Sequence, residues 1–298
     1  TQLTTKVIIT AKVVDITWVT DAFTYDGTDQ SSKVTAYYLD VNGKQVPLAV
    51  TLTDGSFVNA NTYTFSAAFA TEDTGSSNYA LPADVEKDFT IKPAEVDVTI
   101  SHMQQVYTGE QFNTVDGVKD TNYTVSGDIF NGDDLEITIT ITGGATNVGE
   151  YDVTASAANG NYKVTFVSSS LENAYEITNA TIADEDVSFT IYGGTDGATY
   201  DATTHQVAEN LSVTTSTVVD HGNEPVWSFS LDGNNYYPID DANVLVRNVA
   251  DSGTVYYKIE AANHETYTGQ FNVTILPYEV EVKWVENDFT YNGSDQKD

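Results

Sequence analysis

Two short sequence blocks recur at a nearly constant spacing, and this repetition constrains the fold of the 298-residue chain more than any other feature. The first block, called here the Tyr-x-Gly block, has its tyrosines at Tyr25, Tyr107, Tyr200 and Tyr291, spaced by 82, 93 and 91 residues. The second is a short apolar strand with its anchor isoleucines at Ile9, Ile91, Ile177 and Ile275, spaced by 82, 86 and 98 residues. Both blocks advance by 266 residues over three periods, which gives a repeat of about 89 residues.

This repeat predicts a tandem array of small domains. The predicted segments are 1–10, the closing strand of a preceding repeat; 11–93, repeat 1; 94–179, repeat 2; 180–277, the divergent repeat 3; and 278–298, the opening strand of a following repeat. Pro93 and Pro277 follow two anchor isoleucines by two residues, where a proline ends a strand and fixes φ. Because almost no free linker remains at these junctions, we expect neighbouring repeats to be closely coupled.

Apolar and polar residues alternate with a period of two along much of the chain, which indicates β-strands with one buried face. The clearest alternating segments are residues 13–19, 96–100, 135–141, 153–157, 255–259 and 280–284. Asp-Gly and Asn-Gly pairs between them, such as Asn131-Gly132, favour tight turns, and no segment shows capped helical periodicity. The sequence therefore predicts an all-β chain, a tandem array of small antiparallel β-sandwich (Ig-like) domains that forms an elongated rod.

The Tyr-x-Gly block occurs once per repeat, which favours a structural role over a ladder of ligand-binding tyrosines. A tyrosine at a strand end can bury its ring while its hydroxyl reaches a backbone group, and the glycine permits a tight turn. Repeat 3 has Ala202 in place of the glycine, so we expect a different turn there. Two other blocks also favour an architectural role: a turn before a strand with an inward aromatic, near Tyr63, Tyr151 and Tyr256, and an Asn-aromatic pair at Asn78-Tyr79, Asn161-Tyr162 and Asn263-His264.

Taken in register, these blocks resemble the MBG domain of the YGX type found in large bacterial surface proteins. The blocks that carry the resemblance are the Tyr-x-Gly opening, the Asn-x-Gly-x-Tyr turn of 147–151, Gly160-Asn161-Tyr162, and the closing strands Phe89-Thr90-Ile91 and Tyr175-Glu176-Ile177. Repeat 3, with Trp227-Ser228-Phe229 and Gly253-Thr254-Val255-Tyr256, is similar to a related variant. The resemblance covers most of the chain and implies repetitive stalk modules of adhesin-like proteins, extracellular, on the bacterial cell surface and without catalytic residues.

The charge of the chain argues against several classes of partner. There are 44 Asp and Glu against 12 Lys and Arg, a formal net charge of −32, and such a surface repels nucleic-acid phosphates and anionic membranes. The absence of Cys excludes disulfides, thiolate nucleophiles and zinc-thiolate clusters. No apolar run predicts a membrane span, and residues 1–11 lack a signal-peptide pattern. We interpret the charge, which is spread over every repeat, as promoting solubility and repulsion between neighbouring stalks.

A search for catalytic motifs gives no candidate residues. The histidines His102, His205, His221 and His264 are scattered over the repeats without ligand-like spacing. The sequence contains no serine nucleophile elbow, P-loop or dinucleotide-binding loop. We therefore predict that the chain is not an enzyme and uses no cofactor, with calcium as the one metal to be tested.

Calcium binds clustered oxygen atoms, and acidic turns supply them. The candidate ligands are Asp133, Asp134, Asp184 and Asp186. None belongs to an Asp-x-Asp-x-Asp-Gly loop, so solvated acidic turns are the simpler interpretation. Isopeptide cross-links from Lys12, Lys92 or Lys163 to an asparagine are another alternative, but no trio of Lys, Asn and acid recurs in register.

The sequence predicts a non-catalytic extracellular stalk or spacer of a bacterial surface adhesin that presents a distal binding region. Its partners would be adjacent repeats of the same polypeptide, and a host protein or glycan at the binding region. In one alternative, repeat 3 is itself a glycan- or protein-binding module, with Trp227, Tyr236 and Tyr237 as candidate contacts. In another, the chain is a subunit of a surface polymer assembled through exposed edge strands.

Overall fold

The structure is a computed structural model that describes residues 5–19, 22–70, 78–284, 290–291 and 293–294. It is 46% strand and 6% helix, so the predicted all-β class is confirmed. The one α-helix among the described residues, α1, covers only Ser216–Val219 and was not predicted. No helix in these ranges is long and apolar enough to cross a membrane.

The chain divides into two compact units. Unit 1 comprises Thr1–Gln105 and Gln111–Glu176, and unit 2 comprises Val106–Glu110 and Ile177–Asp298. Unit 1 therefore contains repeat 1 and most of repeat 2. Unit 2 contains repeat 3 and also the Tyr-x-Gly block of repeat 2.

Repeat 1 is built around one six-stranded sheet. Its strands are β1 Lys12–Val13, β2 Thr17–Val19, β3 Phe23–Thr24, β4 Thr35–Leu39, β5 Gln45–Leu52, β6 Thr62–Phe69, β7 Tyr79–Ala80 and β8 Glu86–Lys92. The sheet has the order β2-β4-β5-β6-β8-β3, and β1 pairs with β7. The long strand β5 pairs with β4 through residues 45–47 and with β6 through residues 48–52, so it connects the two halves of the sheet.

Repeat 2 divides nine strands among three small sheets. Its strands are β9 Ala94–Ile100, β10 Met103–Val106, β11 Phe112–Asp116, β12 Tyr123–Ser126, β13 Ile137–Ala145, β14 Gly149–Tyr151, β15 Val153–Ala157, β16 Tyr162–Phe166 and β17 Tyr175–Thr178. The sheet orders are β12-β9-β16, β11-β13-β15 and β10-β17-β14. A face of β9 and a face of β13 bury their apolar residues.

Repeat 3 is organised around one three-stranded sheet and three strand pairs. Its strands are β18 Val187–Ile191, β19 Ala198–Thr199, β20 His205–Gln206, β21 Ala208–Val213, β22 Val226–Ser230, β23 Leu245–Val246, β24 Gly253–Glu260, β25 Tyr267–Val273 and β26 Ile275–Leu276. The sheet has the order β22-β24-β25, and the pairs are β18-β21, β19-β26 and β20-β23. Its core includes the fully buried side chains of Phe229 and Ile259.

The period-two alternation explains which side chains form the cores. In β9, Ala94, Val96, Val98 and Ile100 are buried while the residues between them are exposed. Burial of a Val or Ile side chain stabilises the fold by about 1.5–3 kcal/mol, so a one-residue shift of register would be strongly unfavourable. Five of the six predicted alternating segments contain strands at or within a few residues of the predicted positions.

Two predicted strands do not form. Residues 7–10 and 280–284 lie outside every strand, and Ile9 and Trp284 are 92% and 88% exposed. A strand needs a hydrogen-bonded neighbour to satisfy its backbone groups, and among the described residues neither segment has one. Most of the remaining C-terminal segment, including Phe289 and Asn292, lies outside the described residues.

The prediction of purely antiparallel sheets is also wrong in part. Parallel strand pairs among the described residues include β1 with β7, β3 with β8, β9 with β16 and β19 with β26. Each pair joins an early strand of a repeat to a late one, and the long intervening chain provides the crossover that a parallel pair requires. These pairs bring the recurring sequence blocks of each repeat together.

Candidate functional site, a tyrosine joint

The Tyr-x-Gly block and the anchor isoleucine of the same repeat are neighbours in the structure. The tyrosine N–H donates to the carbonyl of the residue after the isoleucine in all three repeats, from Tyr25 to Lys92 at 2.8 Å, Tyr107 to Thr178 at 2.9 Å and Tyr200 to Leu276 at 2.9 Å. The Asn-aromatic pair occupies an equally constant place, because Tyr79, Tyr162 and His264 pair in parallel with Lys12, Ala94 and Ala180. These blocks are therefore equivalent in structure as well as in sequence.

In unit 1, the Tyr25 side chain of repeat 1 is buried against repeat 2, with 4% of its surface exposed. Its ring makes edge contacts with Phe130 and Tyr162 at centroid distances of 5.8 and 5.4 Å. Its hydroxyl donates to Oδ2 of Asp133 at 2.6 Å, and the Tyr162 hydroxyl donates to the same oxygen at 3.0 Å. Burial, together with the neighbouring Asp133 carboxylate, raises the pKa of Tyr25 to about 12.

The glycine of this block allows a loop of repeat 2 to approach closely. Gly27 has φ of +73°, and its carbonyl accepts a hydrogen bond of 2.8 Å from Nδ2 of Asn131. A Cβ atom on Gly27 would collide with that Nδ2 atom and would also touch Phe130. The close approach of this loop therefore favours glycine, in addition to the positive φ of the turn.

A second group of hydrogen bonds in unit 1 also joins repeats 1 and 2. Oδ1 of Asn161 accepts from the N–H of Ala60 at 2.9 Å, and its Nδ2 donates to Oδ1 of Asn59 at 3.2 Å. Because these bonds involve a different loop of repeat 1 from Tyr25, the two repeats are held at more than one point. Two separate points of contact restrain rotation between repeats 1 and 2 better than one point would.

Unit 2 contains the same arrangement around Tyr107, which is also 4% exposed. Its ring makes edge contacts with His264 at 5.6 Å and His221 at 6.5 Å. Its hydroxyl accepts from Nδ2 of Asn223 at 2.9 Å. Gly109 has φ of +83°, and a Cβ atom there would collide with the His221 ring.

We call this arrangement the tyrosine joint: a Tyr-x-Gly block, an aromatic residue of the Asn-aromatic pair, and a receiving loop. The receiving loop is 127–136 in repeat 2 and 214–225 in repeat 3. In each loop the residue that precedes a glycine, Asn131 or His221, approaches the glycine of the Tyr-x-Gly block. The predicted burial of the Tyr25 and Tyr107 rings is confirmed. The predicted backbone partner is wrong, because both hydroxyls bond to side chains.

The third Tyr-x-Gly block has the same turn despite its alanine. Ala202 has φ of +67°, and Asp201 accepts from the N–H and hydroxyl of Thr203, as Asp26 does from Thr28. The predicted change of turn is therefore wrong. The hydrogen bond from the backbone of Thr203, supported by His205, lowers the pKa of Asp201 to about 2.

The calcium candidates each accept hydrogen bonds within the protein. Asp133 binds the two tyrosine hydroxyls, and Oδ1 of Asp134 accepts from the N–H of Glu136 at 2.9 Å. Asp184 accepts from the Tyr267 hydroxyl, and Asp186 accepts from the hydroxyls of Thr214 and Thr215. Within the part of the chain that the structure describes, no three His, Cys, Asp or Glu residues form a group that could hold a metal ion.

The aromatic candidates of repeat 3 largely pack on its core. Trp227 is partly buried and stacks on Phe229 and Tyr257 at centroid distances of 6.2 and 5.9 Å. Tyr237 also packs on this core, and its backbone pairs with that of Phe229. Tyr236 is partly exposed, with the Lys258 ammonium 4.0 Å from its ring centre. The three residues therefore do not form one exposed aromatic cluster.

Sequence reasoning found the tyrosines of the joint but missed most of their partners. Phe130, Asp133, His221 and Asn223 lie on loops that share little sequence apart from a glycine. That shared glycine, at Gly132 and Gly222, is the one signal that could have indicated a common role.

Neither a protein-family model nor a curated protein sequence matches the chain.

Proposed function

We propose that the chain is a non-catalytic stalk segment of an extracellular bacterial surface protein, in which it holds a distal adhesive region away from the cell. The observation that carries this proposal is the tyrosine joint, because the same buried contact recurs around Tyr25 and Tyr107. The same contact at two successive blocks supports a role in connecting repeats.

The joint supports a stiff connection between repeats 1 and 2. Tyr25 contributes a buried ring and a hydrogen bond to a carboxylate, and Asn161 fixes a second loop. Hydrogen bonds to charged groups contribute about 1.5–3 kcal/mol and edge-to-face aromatic pairs about 0.5–1.5 kcal/mol each, so free hinge motion would be costly. A stiff segment keeps its ends apart, as a spacer must.

The acidic surface supports an extended, solvent-exposed role. The net charge of −32 favours solubility and repels similar stalks on the same surface. The resemblance to MBG domains supports the adhesin setting and the Ig-like array. The extracellular location would be tested by brief protease treatment of intact source cells, which should release peptides of this chain.

Backbone ¹⁵N relaxation on the full chain tests the stiff joint. Repeats 1 and 2 should give the same rotational correlation time, because Tyr25 and Asn161 couple them. In Tyr25→Ala the two repeats should tumble with different correlation times, whereas the control Tyr278→Ala, at a tyrosine that is 65% exposed, should leave them equal. Independent tumbling of repeats 1 and 2 in the unmodified chain would reject the spacer.

A further inference from the structure

Repeat 1 has its own version of the receiving surface. Its loop 40–44 joins β4 to β5 as the receiving loop of repeat 2 joins β12 to β13. The N–H of Val41 donates to the Tyr79 hydroxyl at 3.1 Å, just as the N–H of Phe130 donates to the Tyr162 hydroxyl at 2.9 Å. In each loop an Asn-Gly pair follows the donor residue.

This surface exposes apolar side chains. Val41, Val13 and Leu39 are 68%, 63% and 48% exposed and line one open depression of about 460 Å³. The polar residues Lys12, Asp15 and Asp40 also line it. Exposed apolar side chains bordered by polar residues are a feature of interaction surfaces. In repeat 2, the counterpart of Val41 is Phe130, which is partly buried and contacts Tyr25.

We propose that the repeat-1 socket, which comprises loop 40–44, Tyr79 and the adjoining depression, binds the Tyr-x-Gly turn of another repeat. The tyrosine ring packs on Val41 beside Tyr79, and the glycine lies against Asn42, as Gly27 lies against Asn131. The proposal extends the proposed function, since it treats the turn as a connector. Its support is that both receiving loops described above already hold such a turn.

The socket also favours one kind of turn. Lys44 follows Gly43 where Asp133 follows Gly132 and Asn223 follows Gly222. An ammonium group can donate to the tyrosine oxygen and attracts an acid beside it, so Tyr-Asp-Gly should bind better than Tyr-Thr-Gly. A turn with alanine in the glycine position should bind poorly, because its Cβ would point at the loop.

A peptide titration of the full chain tests the socket. The probe is a synthetic peptide with the sequence of residues 23–30, and the readout is the ¹⁵N-TROSY spectrum. Effective concentrations in linked joints are on the order of millimolar, so the peptide is added to its solubility limit. We expect shifts at residues 40–44 and Tyr79, and at least about tenfold weaker binding for peptides with tyrosine or glycine replaced by alanine, a difference of about 1.4 kcal/mol.

Two chain variants serve as controls. Val41→Asp should abolish the shifts, whereas Val118→Asp, at another exposed valine of unit 1, should retain them. In Tyr25→Ala, the peptide should also perturb residues 130–133, which shows that it can occupy a vacated receiving loop.

Absence of shifts at residues 40–44 at the highest peptide concentration overturns the proposal, as do equal shifts with the peptide that lacks tyrosine. This result is separate from the test of the stalk, which depends on the relaxation of repeats 1 and 2. A stiff joint with an empty socket would reject only the socket.

Discussion

Truncation of Tyr25 should destabilise unit 1 and uncouple its two repeats. The ring is 4% exposed and touches Phe130 and Tyr162, so Tyr25→Ala removes a well-packed aromatic side chain. Loss of a large buried aromatic costs about 3–5 kcal/mol. Tyr25→Phe keeps the ring and removes one hydrogen bond to Asp133, which costs about 1.5–3 kcal/mol when the acceptor is charged. Since Asp133 keeps the Tyr162 hydroxyl, the lower value applies.

Urea unfolding with hydrogen-exchange mass spectrometry measures both effects. In the unmodified chain, unit 1 should open as one cooperative block. In Tyr25→Ala, protection should fall first at residues 23–30, 59–61 and 130–133, because these segments meet at the joint. The control Tyr278→Ala should change the free energy of unfolding by less than about 0.5 kcal/mol, as is usual for an exposed site.

Two results would refute this reasoning. If Tyr25→Ala matched Tyr278→Ala in stability, the buried contact would not contribute to folding. If Tyr25→Phe were as destabilising as Tyr25→Ala, the hydrogen bond would dominate and ring packing would contribute little.

Four further predictions concern the turns, pH and calcium. Gly27→Ala should lower the free energy of unfolding more than Gly55→Ala does, because Gly55 has a similar φ of +74° but no atoms near its Cβ position. Equal losses in urea unfolding would show that the close approach at Gly27 is irrelevant. Ala202→Gly should raise the urea midpoint for unfolding of unit 2, since an alanine in the left-handed conformation costs about 1–2 kcal/mol. The control Ala250→Gly, in a 3-10 turn, should lower that midpoint. Neutral Tyr25 stabilises the fold fully below pH 10 and progressively less as pH rises through about 12. In an alkaline titration of Tyr25→Phe, the free energy of unfolding should therefore fall less between pH 10 and about 12 than in the unmodified chain. Thermal melts in chelator and in millimolar calcium should coincide, and a higher melting temperature in calcium would support the acidic turns as calcium sites.

The strands of this fold could be predicted because their signal is local. In β9 and β24 every second residue is apolar, and the same residues are buried. The pairing of strands could not be predicted in this way. The parallel contact of Phe23 with Ile91 joins positions that are far apart in sequence, and alternation is the same for parallel and antiparallel neighbours. The failed strands are an apolar run at 7–10 and an alternating segment at 280–284, and neither has a neighbouring strand among the described residues.

Only half of the tyrosine joint could be predicted from the sequence. The block that supplies the tyrosine is nearly constant, whereas the receiving residues change from Phe130 and Asp133 to His221 and Asn223. A tyrosine hydroxyl both donates and accepts hydrogen bonds. Tyr25 donates to Asp133 and Tyr107 accepts from Asn223, so one constant residue fits two different loops. Physical chemistry therefore allows the receiving loops to diverge until their common role is no longer visible in sequence.

The glycine of the block shows which constraint is the stronger one. If the turn alone required it, Ala202 would have forced another turn, yet its φ of +67° is close to the +73° of Gly27. The difference lies in the surroundings, because a Cβ atom on Gly27 or Gly109 would collide with Asn131 or His221. Glycine is thus needed where a receiving loop approaches the block. An alanine in the same turn indicates that any receiving loop must lie farther from the turn. The identity of the residue after Tyr-x therefore indicates how closely a receiving loop can pack against the block.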